Sequence, residues 1–172
     1  GPLWIGASYD GNQTTQPTWG YLNMSNGTFT FSGSKIQLTG TRTGHTAVVN
    51  LNGGTFNLNG APITNGLGSS AFNFDGGTLR LIANNPNVLT VQRANVRNGG
   101  AIFDVASGLG ATVAQALEHS NIGGDNSVDG GLIKRGTNAT LTLTGSNSYN
   151  GGTFVQAGTL QLGGGGTGGT VG

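Results

Sequence analysis

Short runs of alternating apolar and polar residues recur along the chain, and each run follows a pair of small turn residues. Four of them read NGTFTFSG from Asn26, GGTFNLNG from Gly53, GGTLRLIA from Gly76 and GGAIFDVA from Gly99. A period of two residues places every second side chain on the same face of a β-strand. The pattern therefore predicts many short strands with one apolar face, separated by turns rich in glycine, asparagine and serine.

The spacing of these strands is regular over part of the chain. Asn52, Asp75 and Asn98 each precede a Gly-Gly pair, and they lie 23 residues apart (75 − 52 and 98 − 75). A unit that repeats at such a period is typical of a solenoid, in which each coil stacks on its neighbours. We therefore predict an all-β fold, an elongated parallel β-helix with coils of about 20–25 residues. It should span residues 1–172 as a single domain.

Alignment of the repeats predicts which side chains point inward. The first apolar residue of each strand falls two residues beyond the turn glycine, and these residues should stack from coil to coil. We expect Phe56 and Leu79 to touch across adjacent coils, with Arg80 on the opposite face of its strand. The predicted core stack comprises Phe29, Phe56, Leu79, Ile102, Leu141, Leu143, Leu160 and Leu162.

The polar residues before the glycine pairs predict a second column. Asn52, Asp75 and Asn98 should lie above one another at one corner of the coil, about 4.8 Å apart. Because Asx side chains commonly bond the backbone of a turn, we interpret the three as a structural turn ladder. A row of ligand-binding residues is the alternative.

Two segments depart from the pattern. Residues 112–117 contain good helix formers, but Val113, Gln115 and Leu117 would share one face of a strand, which favours a strand over a helix. Between Asn84 and Arg97 the apolar positions fall out of register with the other repeats. That slip predicts a bulge or a longer loop.

Composition favours a thin core over a wide one. Only 34% of the residues are hydrophobic and 35 of the 172 are glycine, which suits a stack of narrow coils better than a globular core. Seven Lys and Arg stand against six Asp and Glu without a basic stripe, so nucleic acid is not an expected partner. No apolar run approaches the roughly 20 residues of a membrane helix, and we expect no membrane contact.

The two ends of the chain differ from the rest. Residues 1–2, Gly-Pro, are typical of what remains after cleavage of a purification tag, and residues 163–172 are rich in glycine. We interpret the sequence as a fragment of a larger protein. Adjoining coils of that parent chain would then be its direct partners.

The segment 130–163 combines many fixed residue types at fixed offsets. They are Gly130, Gly131, Leu132, Lys134, Gly136, the strand Leu141 to Gly145, Asn147, Tyr149, Gly151 to Thr153, Val155, Ala157 to Leu160, and Leu162. In these positions the segment resembles the autotransporter-associated β-strand repeat of exported bacterial surface proteins. Arg135 and Asn138 stand where that family tends to have small, uncharged residues or glycine.

The resemblance implies a fold and a location. It implies a right-handed parallel β-helix in the passenger region of a secreted protein or of one displayed at the bacterial cell surface. It implies no enzymatic activity.

Carboxylates are the residues to test for catalysis, because some parallel β-helices degrade polysaccharides with clustered acids. Asp75 and Asp104 could approach each other near Arg80, but a third partner is missing, and we expect Asp104 to turn outward. We therefore predict no catalytic, cofactor-binding or metal-binding residue, no cofactor and no enzyme. The acids are scattered over Asp10, Asp75, Asp104, Glu118, Asp125 and Asp129.

Three smaller features could carry binding. The segment GGDNSVDGG from Gly123 shares glycines and aspartates with calcium-binding nonapeptide repeats but lacks their period, so we expect a solvated loop. His45 and His119 have no ligand partner at close spacing and should be exposed. The aromatic residues of the first coil should cap the open end of the core, with a sugar-stacking platform as the alternative; they are Trp4, Tyr9, Trp19 and Tyr21.

Three functions compete. The first is a rigid β-helical stalk that supports folding, export and display of a passenger. The alternative is an adhesin-type module that binds glycan or a second copy of itself. A polysaccharide-degrading enzyme is third. Uniform short polar side chains on the outer faces favour the stalk.

Overall fold

The structure is a computed structural model that describes residues 1–6, 17–164 and 169–171. Eighteen strands and no helix are found in these residues. In chain order the strands are β1 (Leu3–Ile5), β2 (Trp19–Met24), β3 (Thr28–Phe31), β4 (Ile36–Leu38), β5 (Thr46–Leu51), β6 (Thr55–Leu58), β7 (Ile63–Asn65), β8 (Ser69–Phe74), β9 (Thr78–Leu81), β10 (Leu89–Thr90), β11 (Arg93–Val96), β12 (Ala101–Val105), β13 (Gly110–Val113), β14 (Leu117–His119), β15 (Leu132–Arg135), β16 (Thr140–Leu143), β17 (Thr153–Val155) and β18 (Thr159–Leu162). Among the same residues no helix could cross a membrane.

Every strand pairs in parallel with the strand one coil away, so the chain winds into a β-solenoid of about six coils. One face is the five-stranded sheet β2-β5-β8-β11-β14, and the next is the six-stranded sheet β3-β6-β9-β12-β15-β17. The third face carries β1-β4-β7-β10 followed by β13-β16-β18. Val88 joins its two parts, because it accepts from Ile63 N and donates to Thr112 O, both at 3.0 Å. The predicted all-β parallel solenoid is confirmed.

The core runs along the axis as a column of apolar side chains from all three faces. Its widest part is a chain of phenylalanine rings. Phe56 lies 5.0 Å from Phe29 and 6.4 Å from Phe72, measured between ring centroids. The chain continues from Phe72 to Phe74 at 4.5 Å and on to Phe103 at 5.2 Å. Aromatic pairs at these separations stabilise a core beyond the area that they bury.

The predicted core stack is correct in its first steps and then slips by one residue. Phe29 pairs with Phe56, and Phe56 pairs with Leu79. Leu79 then pairs with Phe103, whereas Ile102 pairs with Thr78 and therefore faces outward. The prediction of Ile102 in the stack is wrong because the turn before β12 has four residues, 97–100, where the turns before β6 and β9 have three.

The C-terminal members of the stack lie where coil five (β14 to β16) meets coil six (β17 and β18), when coils are counted from β2. Leu141 and Leu143 are fully buried on β16. They pair with Leu160 and Leu162 on β18. Leu160 is partly buried against the core and Leu162 is exposed, because in the described residues β18 has a strand on one side only.

The two ambiguous segments are both built from strands. Residues 112–117 form no helix; β13 ends at Val113 and β14 begins at Leu117, with a corner between them. The slip near residue 84 reflects a corner at residues 82–88, where the buried Asn85 side chain donates to Ala61 O at 3.0 Å. The expected irregularity does not extend to β11, which pairs in unbroken register with β8.

Candidate functional site

The predicted turn ladder lies at the corner between the five-stranded and six-stranded sheets. Asp75 Oδ1 accepts from Gly99 N at 2.7 Å, and Asn98 Oδ1 accepts from Asn126 N at 2.8 Å. Each of these side chains therefore bonds the backbone of the next coil. Asn52 donates its backbone N–H to Met24 O at 2.7 Å in the coil before it. The side-chain contacts of Asp75 and Asn98 are those of turn caps, whereas the contact of Asn52 is made by its backbone.

A longer polar ladder, which the sequence analysis missed, lies on the outer side of the five-stranded sheet. Asn50 Nδ2 donates to Asn23 Oδ1 at 2.6 Å, and Asn73 Nδ2 donates to Asn50 Oδ1 at 2.7 Å. Asn95 Nδ2 continues the series to Asn73 Oδ1 at 2.7 Å. We call Asn23, Asn50, Asn73 and Asn95 the asparagine ladder. Asn50, Asn73 and Asn95 each donate to the coil before, so these three amides point the same way.

The asparagine ladder ends where an amide is replaced by a carboxylate. Asn95 pairs with Glu118 on β14, and a carboxylate cannot donate to the Asn95 oxygen. Glu118 turns instead to Arg93, 3.7 Å away. A sequence signal for the ladder exists, because each asparagine directly precedes the last inward residue of its strand. Its spacing of 27, 23 and 22 residues concealed it.

Every described acid is held by a basic side chain, and none of them forms an acid cluster. Asp75 and Asp104 do not meet at Arg80 as the sequence allowed, because Asp75 pairs with Arg97. Asp104 faces outward as expected. The described residues contain no group of three or more His, Cys, Asp or Glu that could hold a metal ion, and Asp10 lies outside them. The pairs are Arg80 with Asp104 at 3.4 Å, Arg93 with Glu118 at 3.7 Å, Arg97 with Asp75 at 3.4 Å and with Asp125 at 2.7 Å, and His119 with Asp129 at 2.9 Å.

The segment expected to be a solvated loop is fastened to the solenoid at Asp125. This carboxylate is 2% exposed and accepts two hydrogen bonds from Arg97 Nε and one from Arg97 Nη2, at 2.7–3.1 Å. It also accepts from the Ser120 hydroxyl. The hydrogen bonds from Arg97, helped by Ser120 and opposed by burial, lower the pKa of Asp125. The same hydrogen bond raises the pKa of Arg97.

Asp129, at the far end of that loop, is 1% exposed and joins coil five to coil six. Its Oδ1 accepts from Gly131 N and Gly151 N, both at 2.8 Å, and its Oδ2 accepts from Asn150 N at 2.8 Å and His119 Nδ1 at 2.9 Å. Burial opposes the charged form, but these four donors outweigh it and lower the pKa of Asp129. His119 is thus a partner of a buried acid and not the isolated exposed residue that the sequence predicted.

Asp129→Asn should destabilise the protein by about 1–3 kcal/mol at neutral pH. The amide is uncharged, and its nitrogen cannot accept the hydrogen bonds that the second carboxylate oxygen accepts. The folded pKa lies below the unfolded value, so the carboxylate's contribution is complete above a pH of about 4 and is lost as pH falls through the folded pKa. Urea denaturation of both proteins should therefore show a difference that is constant near neutral pH and shrinks in acid.

The control for this prediction is Asp104→Asn, since Asp104 forms an ion pair with a half-exposed Arg80 and should cost at most about 1 kcal/mol. Repeating the Asp129 comparison in a His119→Gln background shows how much of the effect depends on the hydrogen bond between Asp129 and His119. Equal losses for the two aspartates, or an Asp129 effect that does not change in acid, would contradict the assignment.

The second buried charge of this region is Lys134, on the inward side of β15. Its side chain is fully buried, and Nζ donates to Arg135 O at 2.7 Å, Gly136 O at 3.0 Å and Ala157 O at 3.0 Å. All three ammonium protons therefore have an acceptor. The carbonyls of Arg135 and Gly136 belong to the same coil as Lys134, and that of Ala157 belongs to the next coil. Burial, opposed by the charge of Asp104, lowers the pKa of Lys134.

The turn after Lys134 explains two unusual residues of the repeat. Gly136 has φ +97°, and a Cβ there would lie 1.8 Å from Val105 O, so only glycine fits. Asn138 has φ +53°, a left-handed conformation that asparagine tolerates better than most residues. Arg135 points outward and donates from Nε to Gln156 Oε1 at 2.9 Å. Both departures from the family pattern are therefore compatible with the turn and the strand.

The remaining candidates are the histidine and the aromatic residues near the N-terminus. His45 is buried and its Nδ1 bonds the Thr18 hydroxyl, so the expectation of an exposed residue is wrong. Trp19 and Tyr21 point sideways from β2, 65% and 60% exposed, and do not cover the end of the core. Trp4 is half-buried, with Lys35 Nζ 5.6 Å from its ring. Tyr9 lies outside the described residues.

The parallel coils place the protein in the class of β-solenoids, and comparison with known families assigns one part of it. Residues 132–162 match the family model described as passenger-associated-transport-repeat. This match confirms the resemblance of segment 130–163 to the passenger repeat of autotransporters. Comparison with curated proteins found no match, and comparison with solved structures found none. The matched segment contains β15 to β18, including Lys134 and its three carbonyl partners.

Proposed function

We propose that the chain is a rigid β-helical stalk within the passenger of an exported bacterial protein, where it supports folding, export and display at the cell surface or in the secreted product. The passenger repeat supports this role because it belongs to a family of transported passengers. The scattered, paired acids support a role without catalysis.

One observation carries the proposal: the matched repeat continues the stack without a break. β15 pairs with β12 and β16 pairs with β13, and Asp129 and Lys134 then bind the next coil through buried charges. In a solenoid of this kind each coil is stabilised by its neighbours. A continuous stack resists bending, which is the property that a stalk needs.

The proposal can be tested by display on bacterial cells. We would place the chain between an epitope and an outer-membrane anchor and measure antibody binding to the epitope on intact cells. Leu141→Asp puts an unpaired charge into the core and should reduce display several-fold, since unfolded chains are cleared. Thr142→Asp, on the outer side of the same strand, is the matched control and should display like the wild type.

The result that would reject the stalk is equally specific. If Leu141→Asp is unfolded by protease sensitivity in purified form and yet displays the epitope as well as the wild type, a folded solenoid is not needed for display.

A second function, adhesion to a glycan or to a second copy, is favoured by the side of the solenoid near its N-terminus. Trp19 and Tyr21 are the two most exposed aromatic residues among the described ones. They occupy alternate positions of β2 and therefore share its outer face. Exposed aromatic pairs of this kind are typical of binding surfaces.

A further inference from the structure

The outer surface of the five-stranded sheet exposes two aromatic side chains, Trp19 and Tyr21. We call the part of it on β2, β5 and β8 the lateral face. Its side chains follow the parallel register, so that each row runs along the solenoid axis. Outside the asparagine ladder the lateral face consists of two rows, Trp19, Thr46 and Ser69 in one and Tyr21, Val48 and Ala71 in the other.

The aromatic end of the lateral face is large and unpaired within the solenoid. The side chains of Trp19 and Tyr21 lie two residues apart along the strand, which separates them by about 7 Å. Beyond them the small side chains of β5 and β8 leave a shallow depression of about 260 Å³. An aromatic surface beside a depression lets a ring-shaped ligand stack on the aromatic side chains and contact the residues that line the depression.

Hydrogen-bonding groups border this aromatic surface. Asn23 and Asn50 of the asparagine ladder lie in the adjoining row, and the Asn23 amide nitrogen donates to no group in the ladder. Thr46 and Ser69, whose side chains carry hydroxyls, line the depression. Amides and hydroxyls next to an aromatic ring match a ligand that carries many hydroxyl groups on an apolar ring.

Charge narrows the class of ligand further. The rows on β2, β5 and β8 carry no ionised side chain, and the one cation that lines the depression, Arg93, is paired with Glu118 at 3.7 Å. An anionic polymer would therefore have to compete with Glu118 for a single arginine and would find no cation beside Trp19 and Tyr21. A second copy of the chain is a poorer occupant, because a stable dimer needs about 800 Å² per partner with an apolar centre, and the centre of this face holds small and hydroxyl-bearing residues.

We propose that the lateral face binds a neutral glycan, with a pyranose ring stacked on Trp19 and Tyr21 and its hydroxyls bonded by Asn23, Asn50 and Thr46. This inference rests on the second proposed function, adhesion, and is independent of the stalk. The ligand lies on the side of the solenoid, so binding leaves the coil stack unchanged.

Tryptophan fluorescence tests this directly, because the chain has only two tryptophans. We would titrate the purified protein with cellohexaose, chitohexaose and mannohexaose up to about 10 mM, a range that detects the weak affinity expected of a single stacked site. At least one of these neutral probes should change the emission of Trp19. The change should persist in Trp4→Phe and be nearly independent of salt, since no ion pair forms.

Substitutions assign the site. Because the Trp19 variants lack the fluorescent reporter, the variants are compared by isothermal titration calorimetry. Trp19→Ala and Tyr21→Ala should each weaken binding about tenfold, whereas Trp19→Phe should retain part of it. Phe154→Ala removes a similarly exposed aromatic side chain from β17 of the six-stranded sheet and should leave binding unchanged. Melting curves of all variants should match the wild type, which shows that lost binding is not lost folding.

Three outcomes would overturn the proposal. The first is no response to any of the three probes. The second is a response that Trp4→Phe abolishes, which would move the site to the third face. The third is a dimer in sedimentation that Trp19→Ala dissociates, which would assign the face to self-association. None of these outcomes affects the display experiment, so the stalk proposal and the glycan-site proposal can be rejected independently of each other.

Discussion

Phe56→Ala should lower the free energy of unfolding by about 3–5 kcal/mol, because it removes a fully buried ring from the narrow core of the solenoid. Phe56 lies between Phe29 and Phe72 and pairs with Leu79, so the cavity would open at the junction of three coils. Such a narrow core has few other side chains that can move in and fill the gap. Urea denaturation monitored by circular dichroism measures the loss.

The matched control is Phe154→Ala, since Phe154 lies on the outer side of β17 and is 57% exposed. We expect a change within about 0.5 kcal/mol for it. Similar midpoints for the two variants would mean that the assignment of inward and outward faces is incorrect. A change in the slope of the transition for Phe56→Ala would instead indicate that the coils no longer unfold together.

Lys134→Met should destabilise the protein by about 2–4 kcal/mol, although it removes a buried charge. Methionine fills a similar volume, but the carbonyls of Arg135, Gly136 and Ala157 lose their donor, and each unsatisfied buried acceptor costs about 1–3 kcal/mol. Burial of the ammonium has a desolvation cost, which also lowers the pKa of Lys134. The substitution removes that cost, and this offsets part of the lost stability. We expect the three lost acceptor contacts to dominate, and urea denaturation at neutral pH to show it.

Arg135→Met, one residue further along the same strand, is the control because the Arg135 side chain is exposed and donates to Gln156 on the surface. It should change stability by at most about 1 kcal/mol. If Lys134→Met proves as stable as the wild type, desolvation outweighs the hydrogen bonds, and Lys134 is not the residue that joins coils five and six.

The sequence predicted the architecture because the elements that define it are local. Alternation around Phe56 and Leu79, with a glycine pair before each, is enough to place strands, turns and the inward face. The prediction failed at Ile102, because one extra residue in the turn before β12 moves Phe103 into the core. The alternation of residues within β12 gives no sign of this change. Alternation reports the two faces of a strand but not which of them is inward once the length of the turn before it changes.

The polar contacts were harder to predict because their partners are distant in sequence. Asp125 looked like part of a solvated loop, and only the folded chain shows that Arg97, 28 residues earlier, binds it. His119 seemed isolated because its partner Asp129 lies ten residues away across a loop. The segment resembling a passenger repeat pointed to Lys134 as a characteristic position, yet nothing in its neighbours indicated that the ammonium would be buried among carbonyls.

The asparagine ladder has a consequence for how such chains diverge. Its four amides remain in contact although the chain between successive members has 27, 23 or 22 residues. Insertions and deletions are therefore absorbed at the corners, and the loop around Asp125 is one example. Homologous coils can drift in length while their strands stay superimposed, so relatives of this protein should be recognised more reliably by aligning strands than by searching for a fixed period. Corners, not faces, are where evolution can attach new segments without disturbing the axis of the molecule.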